Sequence, residues 1–469
     1  MAVQATPGFD LQPSSEQVAL STNYITNFDF LSQYLPDTYE KEFERYGNRT
    51  ISGFLRMVGA EMPSNSDLIK WAEQGRLHTK YVNCTSGAAA AQDTATWTVN
   101  DTLTPGTGGI AIRVGQTVFI TDNTANSGLV NKAIVTGVDT AAGTFAVAYY
   151  EAGGQTVAAG VACTVMIYGS EFKKGTNGMT GSLEADDVIF DNSPIIIKDK
   201  YAVSGSDMAQ IGWIEVTTEN GATGYLWYLK SEHETRLRFD DYLETAMIEA
   251  VPAEAASGAI AAGGDVGNKG SEGIFYAVEN RGNVWSGGIP SSLADFDSII
   301  GRLDKQGAIE ENVLFVNREM SFDIDDMLAA QNSYGAGGTS YGLFDNDEQM
   351  ALNLGFTGFR RGYDFYKSDW KYLNDPTMRG DLTNGVVNGL LVPAGSTTVY
   401  DQVLGKNAKR PFLHVRYRAS ETEDRRYKTW VTGSAGGAMN SDLDAMEVHF
   451  LSERAVCTMG ANNFFIFEG

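Results

Sequence analysis

Residues 225–251 read YLWYLKSEHETRLRFDDYLETAMIEAV, 27 residues without Gly or Pro, bounded by Gly224 and Pro252. This predicts one α-helix of roughly 40 Å at 1.5 Å per residue, against a mean of about 11–12 residues for globular helices. Leu226, Leu229, Leu237, Met247, Ile248 and Val251 fall on one stripe, interrupted by His233, Asp240 and Glu244. Glu232 and Arg236, Glu234 and Arg238, and Arg236 and Asp240 stand four apart, where opposite charges meet on a helix surface. A long helix with a narrow apolar stripe and charged remaining faces is a spine, packed along one side.

On the N-terminal side of this spine the composition shifts. Residues 86–168 hold only two basic residues, Arg113 and Lys132, and are rich in Gly, Thr, Ala and Val. Ile110, Ile112 and Val114 alternate with small or polar partners, as do Phe145, Val147 and Tyr149. The spacing predicts four or five short antiparallel strands, with turns at 139–143 and 153–154. This reads as a small β-barrel or β-sandwich inserted into a larger host, since neither flank looks complete without the other. Residues 195–197 and 201–203 are two further strand candidates. Residues 1–35 read as an extended arm. Two or three short helices are expected within 36–75, one capped by Asp37 with Glu40 three residues on, another capped by Ser66 and carrying Leu68, Ile69 and Trp71.

Beyond the spine, 253–274 read as a flexible Gly/Ala loop. An α/β alternation follows: a helix over 293–303 with Ser292 as cap and Asp295 at the third position, a strand over 313–316, and a helix opened by Ser321. Residues 333–372 are Gly- and aromatic-rich, and 386–392 form an apolar strand. The end is strand-rich, at 412–417, 446–451 and 464–467. No internal repeat is legible.

The chain has 469 residues, with 35 Lys and Arg against 59 Asp and Glu, a formal charge of −24. At 43% hydrophobic and 20% charged residues, it can build real cores and is not a disordered acidic chain. Two to four domains are expected from its length. Three cysteines exclude a disulfide scaffold, and Cys84, Cys163 and Cys457 read as buried free thiols. No apolar run is long enough for a membrane helix. The N-terminus has neither basic nor apolar signal regions, so no secretory signal is expected. Phosphate binding over a whole face is disfavoured by the charge.

Catalytic and metal patterns are weak. The four histidines offer little acid–base chemistry. His414 alternates with Arg416 and Arg418, and His449 shares a face with Glu447; both read as polar-face residues. The stretch 433–436 lacks the leading Gly of a nucleophile elbow. Asp323, Asp325 and Asp326 read as acidic residues at a helix start. A calcium loop from Asp345 would need Gly and Glu where Met350 and Phe356 stand. The Gly-rich stretches 335–338 and 263–269 fit no phosphate loop. No cysteine or histidine spacing suits zinc. No catalytic residue, metal ligand or cofactor is expected.

Two basic islands stand out. In 359–372, Arg360, Arg361, Lys367 and Lys371 interleave with Phe359, Tyr363, Phe365, Tyr366, Trp370 and Tyr372. Such a mixture suits single-stranded nucleic acid or a protein hot spot, and the charge of −24 favours protein. The second island, 406–428, contains Arg416, Arg418, Arg425 and Arg426. Segregated charge suits head-to-tail contact between copies of one chain.

Taken in order, these parts resemble the major capsid proteins of tailed bacteriophages, the Hong-Kong-97-like fold. The stretches SEFKKGT at 170–176, NSP at 192–194, IKDKYAVSGS at 197–206, the 225–251 helix, the 313–316 strand and the closing residues 441–469 carry the resemblance. It implies an α+β chain with an N-terminal arm (1–60), an extended loop (61–85 and 169–205), an inserted β-domain (86–168), a peripheral domain (206–284 and 415–469) and an axial domain (285–414). The size and insertion suit a crAss-like or related phage. The function implied is a non-enzymatic shell subunit of the virion, assembled in the host cytoplasm. It would form hexamers and pentamers around double-stranded DNA, which it contacts non-specifically. Portal, scaffold and decoration or head-fibre proteins are implied partners, and no membrane is. Arg360, Arg361, Tyr363, Trp370, Arg416, Arg418, Arg425 and Arg426 are the candidate inter-subunit contacts. A bacterial surface or glycan-binding β-protein is the competing class, and an acidic hydrolase with paired carboxylates is a third.

Overall fold

The computed structural model describes residues 60–75, 80–87, 95–100, 110–125, 127–181, 187–209, 216–217, 223–224, 227–262, 268–307, 309–332, 357–401, 406–437 and 439–469. The arm up to residue 59, the Asp37 cap, the 335–338 stretch, the Asp345 run and most of 263–269 lie outside them. Among the described residues, those within Ala72–Phe190 form one compact unit, and Ala60–Trp71 with those within Asp191–Gly469 form the other.

Strand β1 (Ala60–Ser64) precedes β2 (Ile69–Gln74). The helix expected from Ser66 is instead this strand. Burial alternates with period two from Ile69, and the Ser66 hydroxyl closes a local turn, donating to the Leu68 carbonyl at 2.9 Å and accepting its amide at 3.2 Å. Such self-bonding competes with helix initiation.

The inserted unit is a closed six-stranded barrel. Strands β3 (Lys80–Ser86), β4 (Ala95–Val99), β5 (Gln116–Asp122), β6 (Val130–Asp139), β7 (Thr144–Tyr149) and β8 (Cys163–Ser170) follow the circuit β3-β4-β7-β6-β5-β8. Every pairing is antiparallel. Trp97, Phe145, Val118, Ile120, Val135, Val147 and Val165 fill it. The Trp97 indole donates to the Tyr149 hydroxyl at 3.1 Å, satisfying the buried N–H. The alternation expected four or five strands. A bulge between Tyr81 and Cys84 breaks the period in β3 and hides it.

Strand β9 (Asp187–Asn192) pairs with β2 in a two-stranded ribbon, through which the chain leaves and re-enters the larger unit. Strand β10 (Ile195–Ser204) joins the two expected strands into one. A short helix α1 (Gly205–Met208) and a small hairpin of β11 (Val216–Thr217) and β12 (Thr223–Gly224) follow.

The spine is α2 (Trp227–Glu249), 23 residues long. Its buried residues include Ser231, Thr235, Phe239, Leu243, Met247 and Ile248, while Leu237 is half-buried and Val251 is 57% exposed. The expected stripe is thus displaced towards a row spaced by four. Small polar residues can join it because the Thr235 hydroxyl donates to the Ser231 carbonyl at 3.0 Å within the helix. Phe239 anchors the row between Tyr427 and Phe450, with ring centroids 5.4 and 5.7 Å away. Two expected ladder partners also part: Arg238 reaches Asp199 of β10, and Glu234 pairs with Lys230.

Next come α3 (Gly258–Ala262), α4 (Ile274–Arg281), β13 (Asn283–Trp285), α5 (Leu293–Gln306), β14 (Glu311–Val316), α6 (Arg318–Asn332), β15 (Gly358–Arg361), β16 (Tyr363–Asp369), α7 (Lys371–Asn374), β17 (Val387–Pro393), β18 (Ser396–Asp401), β19 (Lys406–Pro411), β20 (Leu413–Arg418), β21 (Lys428–Gly433), β22 (Ala445–Thr458) and β23 (Phe465–Glu468). A six-stranded mixed sheet runs β13-β23-β17-β14-β16-β15. A five-stranded sheet runs β1-β20-β22-β10, with β21 also on β22, and β18 pairs with β19 separately. Helix α5 has the expected capping box between Ser292 and Asp295, and Gly307 ends it at φ 74°. Helix α6 opens at Asn317 rather than Ser321, since the Asn317 side chain accepts the Met320 amide at 2.8 Å. Asp323, Asp325 and Asp326 are therefore mid-helix residues, not caps.

Candidate functional site

The first basic island divides between surface and core. β15 is an edge strand of the six-stranded sheet, so Arg360 and Arg361 are exposed. Arg360 pairs with Asp364 at 3.1 Å, and Arg361 grips Asp297 with two nitrogens, one at 2.7 Å. The Arg361 hydrogen bond holds the Asp297 carboxyl below its usual range. The rings go inward. Phe359 and Phe365 stack at 5.1 Å, each edge-on to Phe296. Trp370 is 4% exposed, edge-on to Phe275 and Phe315 at 6.0 Å. Tyr363 is buried and donates to Asp304 at 2.5 Å; burial, then that carboxylate, pushes the phenol up to about 12. Lys367 is bound to Asp325 at 2.5 Å. Only Tyr366 of these residues has a largely exposed ring, so no row of stacking platforms forms.

Sequence reasoning missed a network at the end of the spine. Arg379 holds both Glu249 carboxylate oxygens, and Tyr372 donates to the same group. The Arg379 guanidinium lies 4.9 Å from the Phe275 ring centroid. Burial, then Glu249, raises the Tyr372 phenol. No regular spacing links positions 249, 372 and 379, so nothing in the sequence signals them.

The second island is largely neutralised by the chain's own acids. Arg418 meets Asp67 at 2.6 Å, Arg425 meets Glu453 at 2.6 Å, and Arg426 meets Glu61. Arg426 also lies 5.7 Å from the Tyr417 ring. Arg416 differs: it is half-buried, its Nε is buried without a partner, and burial lowers its pKa.

His414 is not the polar-face residue expected. Leu413, His414 and Val415 are all buried, because β20 is covered on both faces. Leu413 and Val415 enter the main core, while Cys457 stands directly opposite His414 and packs with Ile69 and Ala455. The His414 Nδ1 lies 3.1 Å from the Pro411 carbonyl, and burial pushes the imidazole down to about 4. His449 is held by Thr432 at 2.7 Å and stacks on Trp430. Cys84, Cys163 and Cys457 are free and buried; burial raises the last two thiols to about 11 and about 12.

Several exposed apolar side chains lie on the ribbon and the barrel wall. Val188 and Ile189 of β9 are 50% and 66% exposed. On the barrel, Val82, Met166 and Tyr168 face outward. Among the described residues, no group of three or more His, Cys, Asp or Glu could hold a metal ion, and no helix is long and apolar enough to cross a membrane.

No family model and no curated protein matches the chain. Solved structures do resemble it, at low identity. The capsid asymmetric unit of cyanophage A-1(L) aligns at 9% identity over 93% of this chain and 98% of that one, with a TM-score of 0.43. A Microbacterium phage Oxtober96 structure aligns at 10% over 94% and 97%, with a TM-score of 0.38. The holo-SrpI encapsulin complex of Synechococcus elongatus aligns at 10% over 61% and 77%, with a TM-score of 0.33.

Proposed function

We propose that this chain is a non-enzymatic shell subunit of Hong-Kong-97-like fold, the major capsid protein of a phage head. Copies assemble into hexamers and pentamers that enclose double-stranded DNA. The carrying observation is the β2–β9 ribbon, a two-stranded element with Val188 and Ile189 largely open to solvent. Ile69 anchors β2 on Ala455 and Cys457, but a two-stranded ribbon is otherwise marginal in water, and ordering each residue costs about 1–2 kcal/mol of backbone entropy. A second copy laid over the ribbon supplies the missing apolar cover. In this reading the spine with β10 and β22 is assigned to a peripheral body and the six-stranded sheet to an axial body.

The finer reading follows from the same assignment. Portal, scaffold and decoration or head-fibre proteins are the further partners, and a crAss-like or related phage is the source. Arg360, Arg361, Arg418, Arg425 and Arg426 border copy–copy contacts at the surface, while Tyr363 and Trp370 support them from within. Purified protein examined by light scattering and negative stain should give rings, tubes or shells. A monodisperse monomer of 50.7 kDa at every concentration would sink the proposal.

A further inference from the structure

Arg416 is set apart from the other described arginines. Arg238, Arg281, Arg318, Arg360, Arg361, Arg379, Arg418, Arg425, Arg426 and Arg454 all reach a carboxylate of the same chain. Arg302 donates to the Val284 carbonyl, and Arg113, Arg236 and Arg410 also have partners. Arg416 alone has neither a hydrogen bond nor an ion pair, and its Nε is shut off from water. The residue is half-buried, so its guanidinium keeps part of its water, but partial desolvation with no anion beside it still costs the folded chain.

Its surroundings favour an anion. In register, Arg416 sits between Met62 of β1 and Ala455 of β22, and neither side chain can accept a hydrogen bond from it. His414, two residues back on the same strand face, is buried and neutral at pH 7. Cys457, opposite His414, is a protonated thiol. Arg410, 3% exposed, adds like charge nearby. The acidic group that reaches Cys457, Glu272, is already held by Arg281 at 2.6 Å, so the site keeps excess positive potential.

We propose that Arg416 is the receiving half of an ion pair between copies, taking an Asp or Glu carboxylate from a second copy of this chain. Charge complementarity identifies the occupant. Each copy carries 59 acidic and 35 basic residues, a surplus of 24 carboxylates. The planar guanidinium fork matches a carboxylate in bidentate fashion. A single receiving cation in a chain of −24 is the opposite of a phosphate-tracking groove. The inference rests on the shell reading and adds to it one contact with a defined polarity.

The test compares the full-length chain with Arg416→Met and Arg416→Lys. Two quantities are read: the melting temperature of the unassembled chain, and the concentration at which shells appear by light scattering. Arg416→Met should leave the melting temperature unchanged or raise it, because it removes an unpaired, partly desolvated charge. It should raise the assembly threshold by about tenfold or more, the scale of losing a buried interfacial pair. Arg416→Lys should fall between, keeping the charge but not the fork. Equal thresholds for wild type and Arg416→Met would overturn the proposal. So would a lower melting temperature of unassembled Arg416→Met, which would place the carboxylate in the same copy. Retention of a short DNA duplex that is lost in Arg416→Met would assign the site to phosphate and also overturn it. Wild-type protein that never assembles would instead bring down the shell reading, and this inference with it.

Discussion

Breaking the Asp325–Lys367 pair should be among the most damaging single changes on this chain's charged residues. The two side chains are only 12% and 10% exposed, and the ammonium lies 2.5 Å from the carboxylate. Lys367 also donates to the Ser321 carbonyl at 3.3 Å, so the pair fastens α6 to β16. Asp325→Asn keeps the volume and removes the charge, leaving a buried ammonium with no counter-ion. Removing one partner of such a pair costs about 3–5 kcal/mol, a large part of a typical stability of 5–15 kcal/mol. The double variant Asp325→Leu/Lys367→Met removes both charges and fills their space. It should return to within about 1 kcal/mol of wild type, or exceed it. Urea unfolding of the unassembled chain, run as a double-mutant cycle, measures both numbers. A single-variant loss below about 1 kcal/mol, with additive effects in the double, would refute the reasoning. It would mean the pair is hydrated and Lys367 is available to the surface.

His414 makes stability acid-sensitive. Its folded pKa of about 4 lies below the unfolded value of about 6.5, so its contribution is intact above pH 6.5 and drains away as pH falls towards 4. The loss is on the order of 3 kcal/mol by pH 4, and His414→Gln should flatten that part of the profile; identical profiles would contradict it. Phe239→Ala should cost about 3–5 kcal/mol in thermal unfolding, as it empties the space between Tyr427 and Phe450. A cost under about 1 kcal/mol would show that the spine is anchored elsewhere. A fragment spanning Ala72–Phe190 should fold by itself and melt cooperatively, with Trp97 emission characteristic of a buried indole. A fragment without a cooperative transition would show that the barrel depends on its host.

What the sequence showed and hid follows the range of the interactions involved. The spine, the α5 capping box and strand β17 were legible because helix breakers, caps and apolar runs act within a few residues. The inserted β-unit was legible from its composition, although its first strand was lost to the bulge after Tyr81. The buried row of the spine was misjudged because Phe239 owes its burial to Tyr427 and Phe450, about 200 positions away along the chain. The basic islands were seen, but not their fate. Which arginine meets which acid is settled by strand pairings such as β1 on β20, which bring residues near 61–67 beside residues near 418–426. Lys367 and Trp370 looked like surface chemistry because they neighbour exposed residues in sequence. β16 and the turn after it carry them into the interior, where Asp325 and Phe315 await.

The charge of −24 sets a final expectation. Ten of the fifteen described arginines are bound by an acid of their own copy, and 59 acidic residues outnumber 35 basic ones, so the surface of each copy is net negative. Two copies approaching each other therefore meet net repulsion at long range. The Debye length falls from about 30 Å at 0.01 M salt to about 10 Å at 0.1 M, so added salt removes that repulsion first. The apolar contacts available to Val188 and Ile189 are not weakened by the same change, and a desolvated Arg416–carboxylate pair is screened far less than exposed charges. The assembly threshold should accordingly fall as sodium chloride rises from about 0.01 to 0.1 M. Ile189→Asp should raise the threshold at every salt concentration, by adding negative charge to the ribbon while removing its apolar cover. A threshold that climbs steadily with salt would mean that exposed ion pairs hold the copies together. In that case the ribbon's apolar residues would no longer account for the assembly.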